Sequence, residues 1–487
     1  MTFVAELEPR SLWAHFDEIL TIPRGSKKEE RARAYVVGVA ERNGLRVQVD
    51  DVGNVVVSKP ATEGLEKAPV VVLQAHLDMV NEKNADVEHD FDRDPIRPVR
   101  EGEWLTADGT TLGADNGIGM AAMLALMESG DVRHGPLEFL FTIDEETGLT
   151  GAARLAPGLL EGRILLNLDS EEDGVLTIGC AGGGDTHIHL PLDTEPVAPA
   201  AVALEVAISG LRGGHSGCEI HLQRGNSIRA LSRALRAALD ERAFAVLQLS
   251  GGNAHNAIPR EATAGLVASA PEEAEAIGDR IRRELELVRR ELHTSDPGLG
   301  FTIQAAPAPK TAWTAGATQR ALDLLVALPH GVLRMSDDMD GLVETSTNLA
   351  VVRTEADGLR ILMSSRSSVE SALAALRMRL RSLASLAGAE VDEKDGYPPW
   401  RPNVDSPLLE VVRSLHRERI GEPEVGAVHA GLEASIIAEK YEGMDMISFG
   451  PQIEFPHSPD ERVRIESVGT FYDFLGALLG RLASEGP

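Results

Sequence analysis

Residues 70–80, VVVLQAHLDMV, end an apolar run on a histidine and an aspartate, His76 and Asp78. Residues two apart on an extended strand point to the same face, so both side chains can reach one site. Taken alone, such a pair is more often a strand edge emerging into solvent. Two later runs finish in the same way: GPLEFLFTIDEE reaches Glu145 and Glu146, and GRILLNLDSE reaches Asp169. Apolar residues at helical spacing mark ERARAYVVGVAERNG ahead of the first strand and NGIGMAAMLALMES behind it. This alternation predicts an α/β layer around a mostly parallel sheet buried on both faces.

With 487 residues the chain is too long for one ordinary domain. A hydrophobic content of 43% with 25% charged residues is that of a globular protein, and no apolar run is long enough to span a bilayer. The N-terminal segment carries acidic residues early and lacks the basic-then-apolar pattern of a signal peptide, so the expected location is the cytoplasm. A net charge of −29 argues against a nucleic acid partner, which requires a basic patch. The two cysteines, Cys180 and Cys218, form no Cys-x-x-Cys pair and are given no redox or thiolate role.

Near residue 185 the pattern changes to amphipathic strands and longer polar helices. After EKDGYPPW, residues 393–400, the α/β character returns. The simplest organisation is a catalytic domain over 1–184 and 401–487, interrupted by an inserted α+β lid or substrate-binding domain over 185–400. Inside the insert, ALEVAISGLRGGHSG with ALSRALRAAL echoes GLRILMSSRSSVESALAALRMRL, which leaves an internal duplication open.

Parallel strands would gather His76, Asp78, Asp115, Glu145, Glu146 and Asp169 in the crevice beyond their carboxyl ends, where open α/β sheets bind ligands. So many anions repel one another unless a cation lies among them. Carboxylates with imidazole suit zinc first, then manganese or cobalt. One imidazole is few for two such ions, and His457 in EFPHSPDERV offers a second.

The blocks AHLDMV, GTTLGADNGIG, DEETGLTGA, NLDSEEDG, GLRGGHSG, HAGLEASI and FPHSPDERV occur in the order found in the dizinc aminoacylase and dipeptidase family. The chain resembles that family over nearly its whole length, and within it the aminoacyl-histidine dipeptidase branch. One departure is visible: Ala434 and Ser435 stand where that branch has Cys-Gly, which bears on substrate preference rather than on metal.

The resemblance implies two divalent ions bridged by Asp115, with His76 and Asp169 completing one set of ligands and Glu146 and His457 the other. Asp78 would accept a hydrogen bond from His76, and the Asp115–Asn116 peptide would be cis. Glu145 would serve as general base, accepting the proton of water and passing it to the leaving amine. His215 resembles the histidine that stabilises the oxyanion, and Asn256, Arg366 and Gly431 resemble substrate contacts.

The expected activity is therefore metal-dependent hydrolysis of unblocked dipeptides, Xaa-His substrates such as carnosine included, with a homodimer among the open oligomeric states. One alternative is an aminoacylase or carboxypeptidase acting on N-blocked substrates, and another is a non-catalytic metal-binding protein. Retention of both Glu145 and His215 argues against the latter. A two-metal phosphoesterase lacks a basic phosphate cradle in this sequence.

Overall fold

The computed structural model describes residues 2–307 and 309–486. Backbone contacts divide the chain into two units, the first comprising Met1–Cys180, Trp400–Ala427 and Leu432–Pro487, the second Ala181–Pro399 and Val428–Gly431.

The first unit carries an eight-stranded sheet in the order Arg46–Val49, Val55–Lys59, Leu137–Thr142, Val71–His76, Ile164–Asn167, Asp445–Ser448, Val175–Cys180, Glu424–Val428. Its centre is parallel: His76 lies beside Thr142, Gln74 beside Asn167, and Asn167 beside Ser448. Antiparallel pairs flank that centre, Val55–Lys59 on one side and the Ser448–Thr177 contact on the other. Val71–His76 and Leu137–Thr142 are buried at every position, as strands covered on both faces must be. Met120 and Leu124 of the helix Ala114–Glu128, Trp13 and Phe16 of Arg10–Ile19, and Leu475 and Leu478 of Ile465–Glu485 share their core. Each such side chain contributes about 1.5–3 kcal/mol by leaving water. The aligned register brings the ends of the parallel strands level, so the polar segments that follow them emerge together.

The second unit is built on a nine-stranded antiparallel sheet in two halves. One half runs Val202–Ser209, helix Ser227–Leu239, Ala245–Gly251, Ala262–Ala268, helix Pro271–Glu291, Gly300–Ala306, and its strands lie in the order fourth, first, third, second. The other runs Gly182–Pro191, helix Ala315–Ala327, Val343–Glu355, Gly358–Ser367, helix Glu370–Ala387, Glu390–Glu393, with the same strand order reversed across the sheet. The second strands of the two halves pair through Ser250–Arg353 and Gly251–Val352. The segments whose sequences echo each other occupy different steps of this arrangement, the first strand and helix of one half and the third strand and last helix of the other. The unit also takes in Val428–Gly431, which the sequence groups with 401–487. The amide of Ala181 donates to Val428 O at 3.0 Å and anchors that piece. No helix among the described residues is long and apolar enough to cross a membrane.

Candidate metal centre

Three ligand segments lie at the ends of the parallel strands Val71–His76, Leu137–Thr142 and Ile164–Asn167, a fourth, carrying His457, follows the antiparallel strand Ile453–Glu454, and a fifth begins the helix Ala114–Glu128. In that helix the Asp115–Asn116 peptide is cis, and both residues depart from helical dihedral angles. Its two oxygens face different imidazoles: Oδ1 lies 3.0 Å from His76 Nε2, and Oδ2 lies 3.2 Å from His457 Nε2. Asp169 Oδ1 stands 3.4 Å from His76 Nε2, and Glu146 Oε2 stands 2.9 Å from His457 Nε2. Asn116 ties the Asp115 turn to the Asp169 segment, its side-chain amide donating to Leu168 O at 3.0 Å and to Asp169 Oδ1. His457 reaches the cluster from a residue at φ 59°, with half of its side chain exposed.

These groups fit a pair of cations. Neighbouring donors around a tetrahedral zinc with bonds of about 2.0 Å stand about 3.3 Å apart, close to the separations above. Glu146 Oε1 is buried without a hydrogen-bond partner, an arrangement costly for a carboxylate unless a cation offsets it. His76, Asp115 and Glu146 can each direct one atom to a common point.

The electrostatics agree. Burial raises the affinity of Glu145, Glu146 and Asp169 for protons, and neighbouring carboxylates raise it further. Burial opposes charge on His76, yet Asp169, Asp115 and Asp78 outweigh it and hold the imidazole well above its ordinary range. Hydrogen bonds to Asp115 and Glu146 push His457 up to about 11. Burial works against the Asp115 carboxylate, but the two histidines hold it far below the usual range. Protons thus do in the isolated chain what metal ions would do on binding, when ligating imidazoles become neutral.

Asp78 is fully buried. It accepts from the amides of Glu145 at 3.1 Å and Glu146 at 3.2 Å and from Ser26 Oγ at 2.7 Å. It therefore fixes the short helix Glu145–Gly148 as well as facing His76. Its Oδ1 lies 3.4 Å from His76 Nδ1, a charge contact without hydrogen-bond geometry in this structure. Glu29, Asp78 and Asp144 make a second acidic group. There donors supply the compensation: Glu29 accepts from the amides of Lys27 and Asp144, and Asp144 accepts from the hydroxyls of Thr147 and Thr150.

In the second unit, His215 comes after Val202–Ser209, bridges to Ala257 and precedes a turn. Its Nδ1 accepts from the amide of Cys218 at 3.0 Å, which leaves the hydrogen on Nε2, the atom able to donate outward. Arg366 is 7% exposed; Nη1 donates to Tyr397 Oη at 2.6 Å, and Nε has no hydrogen-bond partner. A Cβ on Gly217 would stand 2.3 Å from His429 O, 3.0 Å from His215 Cε1 and 3.1 Å from Arg366 Nε, so only a glycine lets these three groups approach so closely. His429, buried beside them, pairs Nε2 with Ser346 Oγ at 2.7 Å. Gly431 lies against the ring of Tyr397, where a Cβ would collide. Asn256 is exposed and lines, with His215, a pocket of about 800 Å³.

Besides Glu29 and Asp144, three buried charged residues near the centre escape sequence reasoning. Glu433 accepts from Gln74 Nε2 at 2.7 Å and Thr142 Oγ1 at 2.5 Å, and burial pushes it up to about 8. Arg24 donates to backbone carbonyls of the His76 and Asp115 segments, and Glu461 accepts from four backbone amides. Glu433 and Glu461 sit inside quoted motifs without a role assigned; Arg24, in TIPRGS, carries no local signal.

Residues 72–481 match the description peptidase family M20/M25/M40. The chain is 42% identical over 486 residues to the cytosol non-specific dipeptidase of Escherichia coli, covering 100% of both sequences. It is similar in structure to the aminoacylhistidine dipeptidase of Vibrio alginolyticus, with a TM-score of 0.90, 42% identity and 98% of each chain covered. A Staphylococcus aureus tripeptidase shares the fold at a TM-score of 0.57 and 16% identity, over 98% of this chain and 100% of that one.

Proposed function

The chain belongs to peptidase family M20/M25/M40, and from that premise we propose that it hydrolyses unblocked dipeptides, aminoacyl-histidine substrates such as carnosine among them, at a centre of two divalent metals. Asp115 would be shared by the two ions, His76 and Asp169 would complete one ligand set, and Glu146 and His457 would complete the other. The observation that carries this reading is the opposed placement of the two Asp115 oxygens, one toward each imidazole. Zinc fits the mixed nitrogen and oxygen donors best, with cobalt and manganese next.

Bound divalent ions supply Lewis acidity, which brings the pKa of water from about 15.7 to roughly 7. Glu145 takes the water proton and returns it to the leaving amine. Asp78 keeps Glu145 in place through its backbone amide. His215 donates from Nε2 to the oxyanion, a role supported by the tautomer that Cys218 imposes. Arg366 grips the substrate's terminal carboxylate with the guanidinium that Tyr397 steadies, while Asn256 and Gly431 contact the rest of the dipeptide. A longer peptide would carry its carboxylate past Arg366, which limits the substrate to dipeptides. Residues 185–400 act in this reading as a substrate-binding domain inserted into a catalytic domain of 1–184 and 401–487. A cytoplasmic location accords with the name of the Escherichia coli relative.

The test is a panel of free, N-acetylated and C-amidated dipeptides offered to the metal-loaded protein. Free dipeptides should be preferred. Preference for N-blocked substrates would replace this reading with an aminoacylase or carboxypeptidase.

A further inference from the structure

The turn that presents Asp115 is held from both sides by charged side chains of other segments. On its amide side, Glu461 Oε2 accepts from Leu112 N at 2.8 Å and Gly113 N at 3.0 Å. Oε1 accepts from Ala114 N at 2.7 Å and Asp115 N at 3.3 Å. Four consecutive amides thus converge on one carboxylate that is 2% exposed. On the carbonyl side, Arg24 Nη2 donates to Gly113 O, while Nη1 reaches Leu77 O at 3.1 Å and Asp78 O at 2.5 Å. Arg24 is also 2% exposed.

Gly113 records how closely this clamp is fitted. Its φ is 71°, and a Cβ there would stand 2.6 Å from Arg24 Nη2 and 2.8 Å from Met79 Sδ. Burying a lone guanidinium or carboxylate is costly, and both groups place their hydrogen bonds on the backbone of ligand-bearing turns. Glu461 also follows His457 by four residues, so one short segment supplies a ligand and the clamp on its neighbour.

We infer that Arg24 and Glu461 are positioning residues that lock the Asp115 turn against the His76–Asp78 and His457 segments, and so set the affinity and geometry of the metal pair. The inference rests on the reading that Asp115 bridges two ions. Only a forked guanidinium can serve carbonyls of both turns, and only a carboxylate presents acceptors to both amide pairs. A glutamine at 461 would turn N–H groups toward one pair.

The test compares wild type, E461Q, R24K and D115A without substrate, measuring cobalt affinity by chelator competition and the visible absorption of the cobalt-loaded protein. E461Q and R24K should bind cobalt about 10–100-fold more weakly, with altered absorption, as loss of ligand-supporting partners generally does. Folded E461Q and R24K with wild-type affinity and absorption, whatever their melting temperatures, would overturn the clamp. If D115A keeps two ions with wild-type affinity, the bridging reading falls and the clamp with it; if D115A loses them, a wild-type result in the other two variants counts against the clamp alone. Should E461Q not fold, R24K decides. If neither folds without metal, recovery at cobalt concentrations raised by that same factor supports the clamp, and failure to recover overturns it.

Discussion

Two acidic groups share the carboxyl end of one sheet, and they are neutralised by different means. Glu29, Asp78 and Asp144 lie in a shell of amides and hydroxyls, so their charge is met by protein donors. Asp115, Glu146 and Asp169 face histidines and one another, with Glu146 Oε1 lacking any hydrogen-bond partner. Each counts three carboxylates. The supply of donors differs, and it decides which group needs a cation. Asp78, a member of the first group, also touches the second, accepting amides from Glu145 and Glu146 while facing His76.

The sharpest way to break this contrast is D115A. Removing the shared carboxylate should empty the centre of metal and take hydrolysis to background, as elemental analysis of the folded variant will show. Next in size is E145Q, which should retain two ions yet lose about 10²–10⁴-fold in kcat, because a base is removed and the ligands stay. Near-native kcat would exclude Glu145 as the base. R366A touches neither acidic group and should act mainly on KM for free dipeptides, narrowing their advantage over C-amidated analogues; an unchanged preference removes Arg366 from the carboxylate site. The smallest effect belongs to the donor-rich group. E29A leaves the buried amide of Asp144 without its acceptor and should cost about 1–3 kcal/mol in chemical denaturation. Its metal content should remain at two ions, and loss of metal there would erase the distinction between the groups.

The parts of this centre that a sequence reveals are those carried by local pattern. His76, Glu146 and Asp169 are legible because each follows an apolar run, and the parallel register that aligns those runs is a property of strands buried on both faces. His457 is legible only through its company of motifs, since an exposed histidine after a Phe-Pro pair has no signature of its own. Arg24 is hidden for a physical reason: its carbonyl partners lie 53, 54 and 89 positions away, and nothing in TIPRGS distinguishes it from a solvated arginine. Glu461 reaches amides 346 to 349 positions away, across the entire inserted unit. Strand order within the second unit is likewise a matter of long-range pairing, which is why the repeated sequence pattern marks two different steps of it.

The claim on which the rest depends is that the donor-poor carboxylates work by holding two ions. It is tested most directly by following dipeptide hydrolysis and metal content in the same preparation while a chelator strips the protein and zinc, cobalt or manganese is returned. Activity should fall as metal leaves a starting content of two ions per chain, vanish in the apo-protein, and return as the ions do. Dipeptide hydrolysis that persists in metal-free protein would contradict the account.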